Sequence, residues 1–489
     1  MKAVLIIFLL FVQSLLFSQT EQKSILQYQS EKYSKYNFAD ESGYDRLQNY
    51  IPSQNSSSAA LTKQVFGWNP YWVGTAYNSY NYALLSTIGY FSYEVDTATG
   101  SYTDIHFWRT TNIIPLGHSN NVKVVLTVTN FGSANNTKIL SSSVKRQRLI
   151  DSVISLVQFR GADGVNIDFE LVPLSQKQNL VIFMTALSTQ MHTRVPNSKV
   201  SIDLPAVDWN NSFDVAALNN VCDYMLIMGY DYYWSSASNA GPVAPLQSGT
   251  VWGSYNVTNS VNYYINQGAS LNKLILAVPY YGYEWPTVNN SLNSQTTGTG
   301  IAYQYSSMKT KSSTYGRLWD VNSLTPWYRY QSGGWNQGWY DDSMSLGYKY
   351  DFVKTKNLAG IGIWALSYDG ANNELWNLIA AKFGVTGITP IGKNIPANYK
   401  LYQNYPNPFN PSTKIRFDIP NSSFERGKGN VKLVIFDLTG KEIYVLLNEN
   451  LNPGSYEVSW AAGEYSSGVY FCRLISGNFI SDTKMILIK

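Results

Sequence analysis

The 489-residue sequence predicts an α/β protein: a closed barrel of eight parallel strand–helix units, (β/α)8, with an insertion between strands seven and eight, followed by a small all-β sandwich. Three observations lead there. Between Val65 and Phe383, short apolar runs alternate with stretches of helical composition, the pattern of a parallel sheet with crossover helices. No glycine-rich turn follows the first run, as a dinucleotide-binding open sheet would require. After about Val385 the texture changes to prolines and closely spaced short strands.

The elements follow in chain order. Lys2 precedes the apolar run Val4–Phe17, which ends at Ser18-Gln19-Thr20. That is a short basic region, an apolar stretch too short to span a bilayer, and small polar residues, so residues 1–19 are expected to be a signal peptide. Residues 20–60 are polar, end in Ser56-Ser57-Ser58-Ala59-Ala60, and are expected to be an N-terminal segment and linker. The barrel is placed at residues 61–384. Its strands are expected at Val65–Asn69, Thr87–Tyr93, Lys123–Thr129, Gly164–Glu170, Lys199–Leu204, Tyr224–Tyr230, Lys273–Pro279 and Gly360–Ala365. Helices are expected at Val144–Arg160, Ser175–Val195 and Val257–Gln267 among others. The stretch from about Trp285 to Tyr340 is too long for a simple crossover. Residues 385–399 are expected to be a linker with Pro390 and Pro396, and residues 400–489 a β-sandwich. In that last part, Leu401–Pro420 holds four prolines, which exclude a helix, and strands are expected at Val431–Asp437, Tyr456–Trp460, Gly468–Leu474 and Phe479–Ile488.

Composition narrows the function. Charged residues are scarce at 14%, aromatics reach 15%, and the net charge of +4 is not gathered in a run. Neither nucleic acid nor a membrane surface is therefore expected as a partner, and the protein is expected to be a soluble monomer. Abundant tyrosine and tryptophan suit sugar rings, which stack on aromatic faces. Cys222 and Cys472 fall in separate predicted domains and are expected to be buried free thiols. His106, His118 and His192 show no metal-ligand spacing, and no metal is expected.

The chemistry is concentrated in DGVNIDFE, Asp163 to Glu170. In a strand, Asn166, Asp168 and Glu170 share one face, and Val165, Ile167 and Phe169 share the other. Two carboxyls on neighbouring same-face positions repel, so one retains a proton at neutral pH, as a general acid must. Glu170 also ends its strand, and reactive groups of parallel barrels sit at the C-terminal strand ends.

DGVNIDFE resembles the fourth-strand signature D-x-x-D-x-D-x-E of glycoside hydrolase family 18, the chitinase family. Asp163, Asp168 and Glu170 match acidic positions, and Asn166 stands where the second Asp is usual. MLIMGYDYYW, Met225 to Trp234, resembles the family's M-x-Y-D through Met228, Tyr230 and Asp231, and Gly241-Pro242-Val243-Ala244-Pro245-Leu246 resembles the loop after it. In GIGIWALSYDG, Trp364 matches the aromatic floor of the cleaving subsite, with Gly362 leaving room beside the indole. Trp68 stands where many members carry Tyr, and Thr127-Val128-Thr129-Asn130 where S-x-G-G is common. In those members the Tyr and Ser bind the second Asp, so their change alongside Asn166 suggests one coordinated substitution.

The resemblance implies a TIM barrel that cleaves β-1,4 linkages at N-acetylglucosamine, with chitin or chitooligosaccharides first and no cofactor. It implies Glu170, Asp168 and Tyr230 as catalytic groups, and Asp163, Asn166, Met228, Asp231, Trp364 and Trp68 as site residues, with Asp163 bracing the start of the strand. The implied mechanism is substrate-assisted and retaining, in an endo-β-N-acetylglucosaminidase. Peptidoglycan and N-glycan cores carry the same sugar and stay open as substrates, and a chitin-binding lectin is the non-enzymatic alternative. Asn404 to Pro411, N-Y-P-N-P-F-N-P, resembles the opening of the type A sorting domain of the bacterial type IX secretion system. That implies the type IX machinery as partner and a location outside the cell or on its surface.

Overall fold

The computed structural model describes residues 23–48, 61–384, 389–391, 395–420, 429–463 and 465–489. The expected signal peptide lies outside the described residues. The described residues form two compact units, one holding residues 23–48 and Lys63–Lys382, the other holding residues 61–62 and the described residues from Phe383 onward.

Eight parallel strands form the first unit's core: β1 Gln64–Pro70, β2 Thr87–Val95, β3 Lys123–Phe131, β4 Gly164–Glu170, β5 Lys199–Leu204, β6 Tyr224–Met228, β7 Leu274–Pro279 and β8 Gly360–Trp364. Each pairs with its sequence neighbour, and β1 pairs with both β2 and β8, so the barrel closes. The expected strands are all present. The sixth stops at Met228 instead of Tyr230, because the chain turns sharply there and Asp231 takes a φ of 59°.

Strand β4 shows why the alternation specifies a barrel. Phe169 points outward and stacks on Phe183 of the helix Lys177–Arg194, with ring centroids 5.5 Å apart. Asn166 and Asp168, on the other face, are wholly buried in the barrel interior. The preceding helix, Ser143–Arg160, is set by local signals at both ends. Ser142 Oγ accepts from Lys145 N–H at its start, and Gly161 adopts the left-handed conformation (φ 61°) at its end.

The insertion is an antiparallel sheet of five strands, in the order Ile301–Gln304, Tyr281–Thr287, Trp335–Trp339, Thr325–Gln331, Leu318–Asp320, with the helix Tyr305–Tyr315. It begins at Tyr281, earlier than the expected Trp285. Tyr281, Tyr283 and Trp285 alternate along one strand and pack ring against ring, so the aromatic run is already part of this sheet.

Within the stretch read as a polar N-terminal segment and linker, residues 23–48 form two helices, α1 Ile25–Tyr33 and α2 Ser42–Gln48. Both belong to the barrel unit. No helix among the described residues is long and apolar enough to cross a membrane.

The second unit has two four-stranded sheets. Ile415, Phe417, Val458 and Trp460 from one, and Leu433, Ile435, Cys472 and Leu474 from the other, share one core. Ser412–Ile419 is a further strand inside the proline-rich opening. Just before it, Asn404 Nδ2 donates to Thr413 Oγ1 (2.9 Å), and Asn407 Oδ1 accepts from Ile486 N–H (2.9 Å), which ties the N-Y-P-N-P-F-N-P run to the final strand. Both cysteines are buried and unbridged.

Candidate active site

The C-terminal ends of β4, β5 and β6 bring four carboxyls together: Asp168, Glu170, Asp203 and Asp231. Among the described residues, none of the four pairs with a lysine or arginine. Burial is the first cause of a raised pKa in each. Asp168 and Asp203 are pushed far above the ordinary carboxylate range, with Glu170 adding like-charge repulsion to both. Glu170 is pushed up to about 8 by burial, against a lowering contribution from the Ser24 hydroxyl. Asp231 is raised to about 6, held down by hydrogen bonds from Tyr281 and the Ile25 N–H. Mutual repulsion in a poorly solvated site keeps protons on such a group at neutral pH.

Asn166 sits below this cluster, and every polar atom of its side chain is used. Its Oδ1 accepts from Trp68 Nε1 (2.9 Å) and Thr127 Oγ1 (3.2 Å). Its Nδ2 donates to Ser201 Oγ (3.2 Å) and Asp203 Oδ1 (2.8 Å). The three departures noted in sequence, Trp68, Thr127 and Asn166, are thus one hydrogen-bonded group. A neutral amide can accept from two donors and still donate to an acid. Losing one member would strand buried partners at about 1–3 kcal/mol each. Trp68 therefore lies inside the barrel with its N–H occupied, and it does not reach the cleft. An added Cβ at Gly362 would meet Trp68 Cζ3 at 3.1 Å, so the room that Gly362 leaves is taken by Trp68.

Three groups in the cluster stand out for what they lack. Both carboxyl oxygens of Asp168, Oδ2 of Asp203 and the hydroxyl of Tyr230 are buried without a hydrogen-bond partner among the described residues. Buried polar groups are nearly always satisfied, so such orphans mark places built for an absent ligand. Met228 and Tyr230 line a cleft of about 260 Å³ together with Glu170, Asp231, Trp209 and Tyr255, and Ser24 also lies on its wall. Trp364 is fully buried, packed edge-on to Phe91 with ring centroids 4.9 Å apart.

Asp163 is not part of this group. It precedes β4 and accepts from Val124 N–H (2.7 Å) while contacting His118 (2.7 Å). Glu170 lies at the other end of that strand, roughly 20 Å away at about 3.3 Å per residue. Sequence reasoning missed Asp203 and Tyr281. Asp203 was within reach, because Ser201 and Asp203 alternate along β5 as Asn166 and Asp168 do along β4.

The raised carboxyls make a stability prediction. Between pH 4.5, the ordinary value for Glu, and about 8, folded Glu170 holds a proton that the unfolded chain has released. Stability is then lost as pH rises through this window. Asp231, raised from 3.8 to about 6, and Asp369, raised from 3.8 to about 7, act in the same direction. The barrel's melting temperature should fall from pH 6 to pH 8, and the slope should lessen in Glu170→Gln. A melting temperature that rises over this range would contradict the assignment of these protons.

The described barrel is a closed parallel one with its carboxyls gathered at the C-terminal strand ends, where such barrels place their reactive groups. Residues 65–369 match the family model for glycosyl hydrolases family 18, and the chain belongs to that family. Residues 403–489 match the secretion system C-terminal sorting domain, which marks the protein for export. A probable endochitinase of Caenorhabditis elegans is 29% identical over 287 residues, 51% of this chain and 45% of that one. Human di-N-acetylchitobiase is 26% identical over 273 residues, 48% of this chain and 68% of that one. The chain thus spans under half of the nematode protein's length and about two thirds of the human one's. A mutant family 18 chitinase of Cycas revoluta, solved in complex with (GlcNAc)4, superposes with a TM-score of 0.60 at 19% identity, covering 65% of this chain and 98% of that one. At that identity the likeness establishes the fold alone.

Proposed function

We propose that the protein hydrolyses β-1,4 linkages at N-acetylglucosamine, in chitin or chitooligosaccharides, as an exported endo-β-N-acetylglucosaminidase using substrate assistance. The observation that carries this is the unpartnered pair, Asp168 and Tyr230, beside the protonated Glu170. An acetamido group supplies what both lack: an N–H for the carboxylate and a carbonyl oxygen for the hydroxyl.

In this scheme Glu170 donates its proton to the glycosidic oxygen as the C–O bond to the anomeric carbon breaks. The sugar's own 2-acetamido oxygen attacks that carbon from the opposite face and closes an oxazolinium ring. When the acetamido N–H reaches Asp168, the Asp168 proton passes to solvent, and the carboxylate left accepts that N–H and steadies the developing positive charge, while Tyr230 donates to the acetamido oxygen and holds it in line. Glu170, now ionised, takes a proton from water, and the water oxygen opens the ring with net retention. A pKa near 8 keeps Glu170 loaded for the first step at neutral pH. Met228, Asp231 and Trp364 shape the subsite, and Trp68 and Asn166 hold the strand ends in register beneath it.

The nematode and human relatives are named for chitin-type substrates, which supports this choice of glycan. The test is a panel of chitooligosaccharides, peptidoglycan fragments and N-glycans incubated with the full chain, the products read by mass spectrometry. Shortening of chitooligosaccharides by whole N-acetylglucosamine units is expected. Cleavage of the other glycans only would move the substrate, and cleavage of none, by the full chain and by a chain whose residues 23–48 are displaced from the site, would overturn the reading.

A further inference from the structure

The described N-terminal residues do not decorate the outside of the barrel. They lie across the candidate site. Ser24 caps α1 and donates from its Oγ to Glu170 Oε1 (2.7 Å). The first helical N–H, that of Ile25, donates to Asp231 Oδ2 (3.0 Å). One turn on, Gln29 Oε1 accepts from both Trp364 Nε1 (3.0 Å) and Tyr368 OH (3.0 Å). At the end of α1 the Tyr33 ring stacks on Trp72, 5.1 Å between centroids and 14° from parallel. Ile25 and Leu26 are fully buried. Beyond α1 the segment is tied again: Glu41 accepts from Tyr77 OH (2.6 Å), and Asp45 accepts from Thr75 N–H (2.7 Å) and Thr75 Oγ1 (2.8 Å).

These contacts copy what a glycan would do. A hydroxyl engages Glu170, an N–H meets a carboxylate, a carbonyl-type oxygen meets the Trp364 indole, and a flat ring stacks on an aromatic. A segment needed only for the fold has no reason to direct its polar groups to these residues. The fold does not need it, since β1 pairs with β2 and β8 and closes the barrel without it.

We propose that residues 23–48 are an intrachain inhibitor, with α1 occupying the subsite over Trp364 and engaging Glu170, so that glycan enters only when this segment leaves. This rests on the glycosidase reading for the identity of the excluded ligand, but not for the occupancy itself. Leu26 and Ile25 hold the helix down. Replacing both with Asp adds two charges to a pocket that already holds four carboxyls, which drives α1 out without touching the barrel. Tyr28, exposed on the same helix, is the control position.

The test compares the full chain, the full chain with Ile25→Asp and Leu26→Asp, and the full chain with Tyr28→Ser. Two readouts are taken: the rate on chitooligosaccharides, and calorimetric binding of a synthetic peptide of residues 23–48. The double variant should cut at least tenfold faster than the parent and the Tyr28→Ser chain, and added peptide should slow it again. Equal, measurable rates in all three would overturn the inhibitor. If none cuts but the peptide binds the double variant and not the parent, the inhibitor stands and the glycosidase reading falls. If none cuts and the peptide binds neither, the inhibitor falls too. Should the double variant fail to fold, a full chain with a specific protease site inserted after Gln48 keeps α1 native. Its rate should rise only after cutting, and no rise in a chain shown to have lost the segment would overturn the proposal.

Discussion

Glu170→Gln lowers turnover of chitooligosaccharides by about 10²–10⁴-fold, the range expected when a general acid is lost, and leaves glycan binding in place. The substitution keeps the volume and the hydrogen-bonding reach of the side chain but removes the transferable proton. The structure gives two reasons for so large an effect from this residue. Glu170 sits at the end of β4 on the wall of the cleft, where a glycosidic oxygen can reach it. Its carboxyl is pushed up to about 8 by burial, with like-charge repulsion from Asp231 acting in the same direction, so it is protonated at neutral pH. The measurement is best made in parallel in the full chain and in the chain with α1 displaced. A Glu170→Gln enzyme with the parent's turnover would remove Glu170 from the mechanism.

Asp168→Asn should cost about 10²–10³-fold in turnover while flattening the fall of melting temperature above neutral pH. The two effects share one cause. Asp168 is fully buried with neither carboxyl oxygen satisfied, and burial, with Glu170 and Asp203 beside it, holds its pKa far above the ordinary range. The folded chain keeps a proton there that the unfolded chain releases, so stability is lost as pH rises, and a neutral amide of the same size removes that dependence. The same amide cannot carry the negative charge that steadies an oxazolinium ion, and it sets an NH₂ group against the acetamido N–H. Tyr230→Phe should cost less than Asp168→Asn, because it removes one hydrogen bond and no charge. Loss of stability together with full activity in Asp168→Asn would mean that Asp168 is a structural acid.

The barrel was legible because its strands are apolar runs set off by glycines, prolines and capping residues, and because Glu170 falls at a strand end. The site was legible where several polar residues share one strand face, as in β4. The signal was fainter in β5, where Ser201 and Asp203 alternate but only one acid is present, and Asp203 was passed over. Trp68 was misplaced because sequence shows that an aromatic lies near a strand end, but not which way its ring turns. Asp163 belongs to the same motif as Glu170, yet a strand carries the two to opposite ends of the barrel. Helix α1 was hidden for a different reason. ILQYQSEKY has no sustained apolar stripe, and its place is set by hydrogen bonds that Ser24 and Ile25 donate to, and Gln29 accepts from, groups far away in sequence. The strand Ser412–Ile419 was obscured by the prolines that precede it, although Thr413, Ile415 and Phe417 alternate inward in the expected way.

The central claim is that the sugar's own acetamido group is the nucleophile, with Asp168 and Glu170 on either side of the reaction. Proton NMR of chitooligosaccharide hydrolysis by the full chain, with and without the Ile25→Asp and Leu26→Asp substitutions, tests this most directly if the anomeric signals are read before mutarotation. The account predicts that the first product carries the β-anomer. The α-anomer as first product would show direct attack by water and contradict substrate assistance at this site.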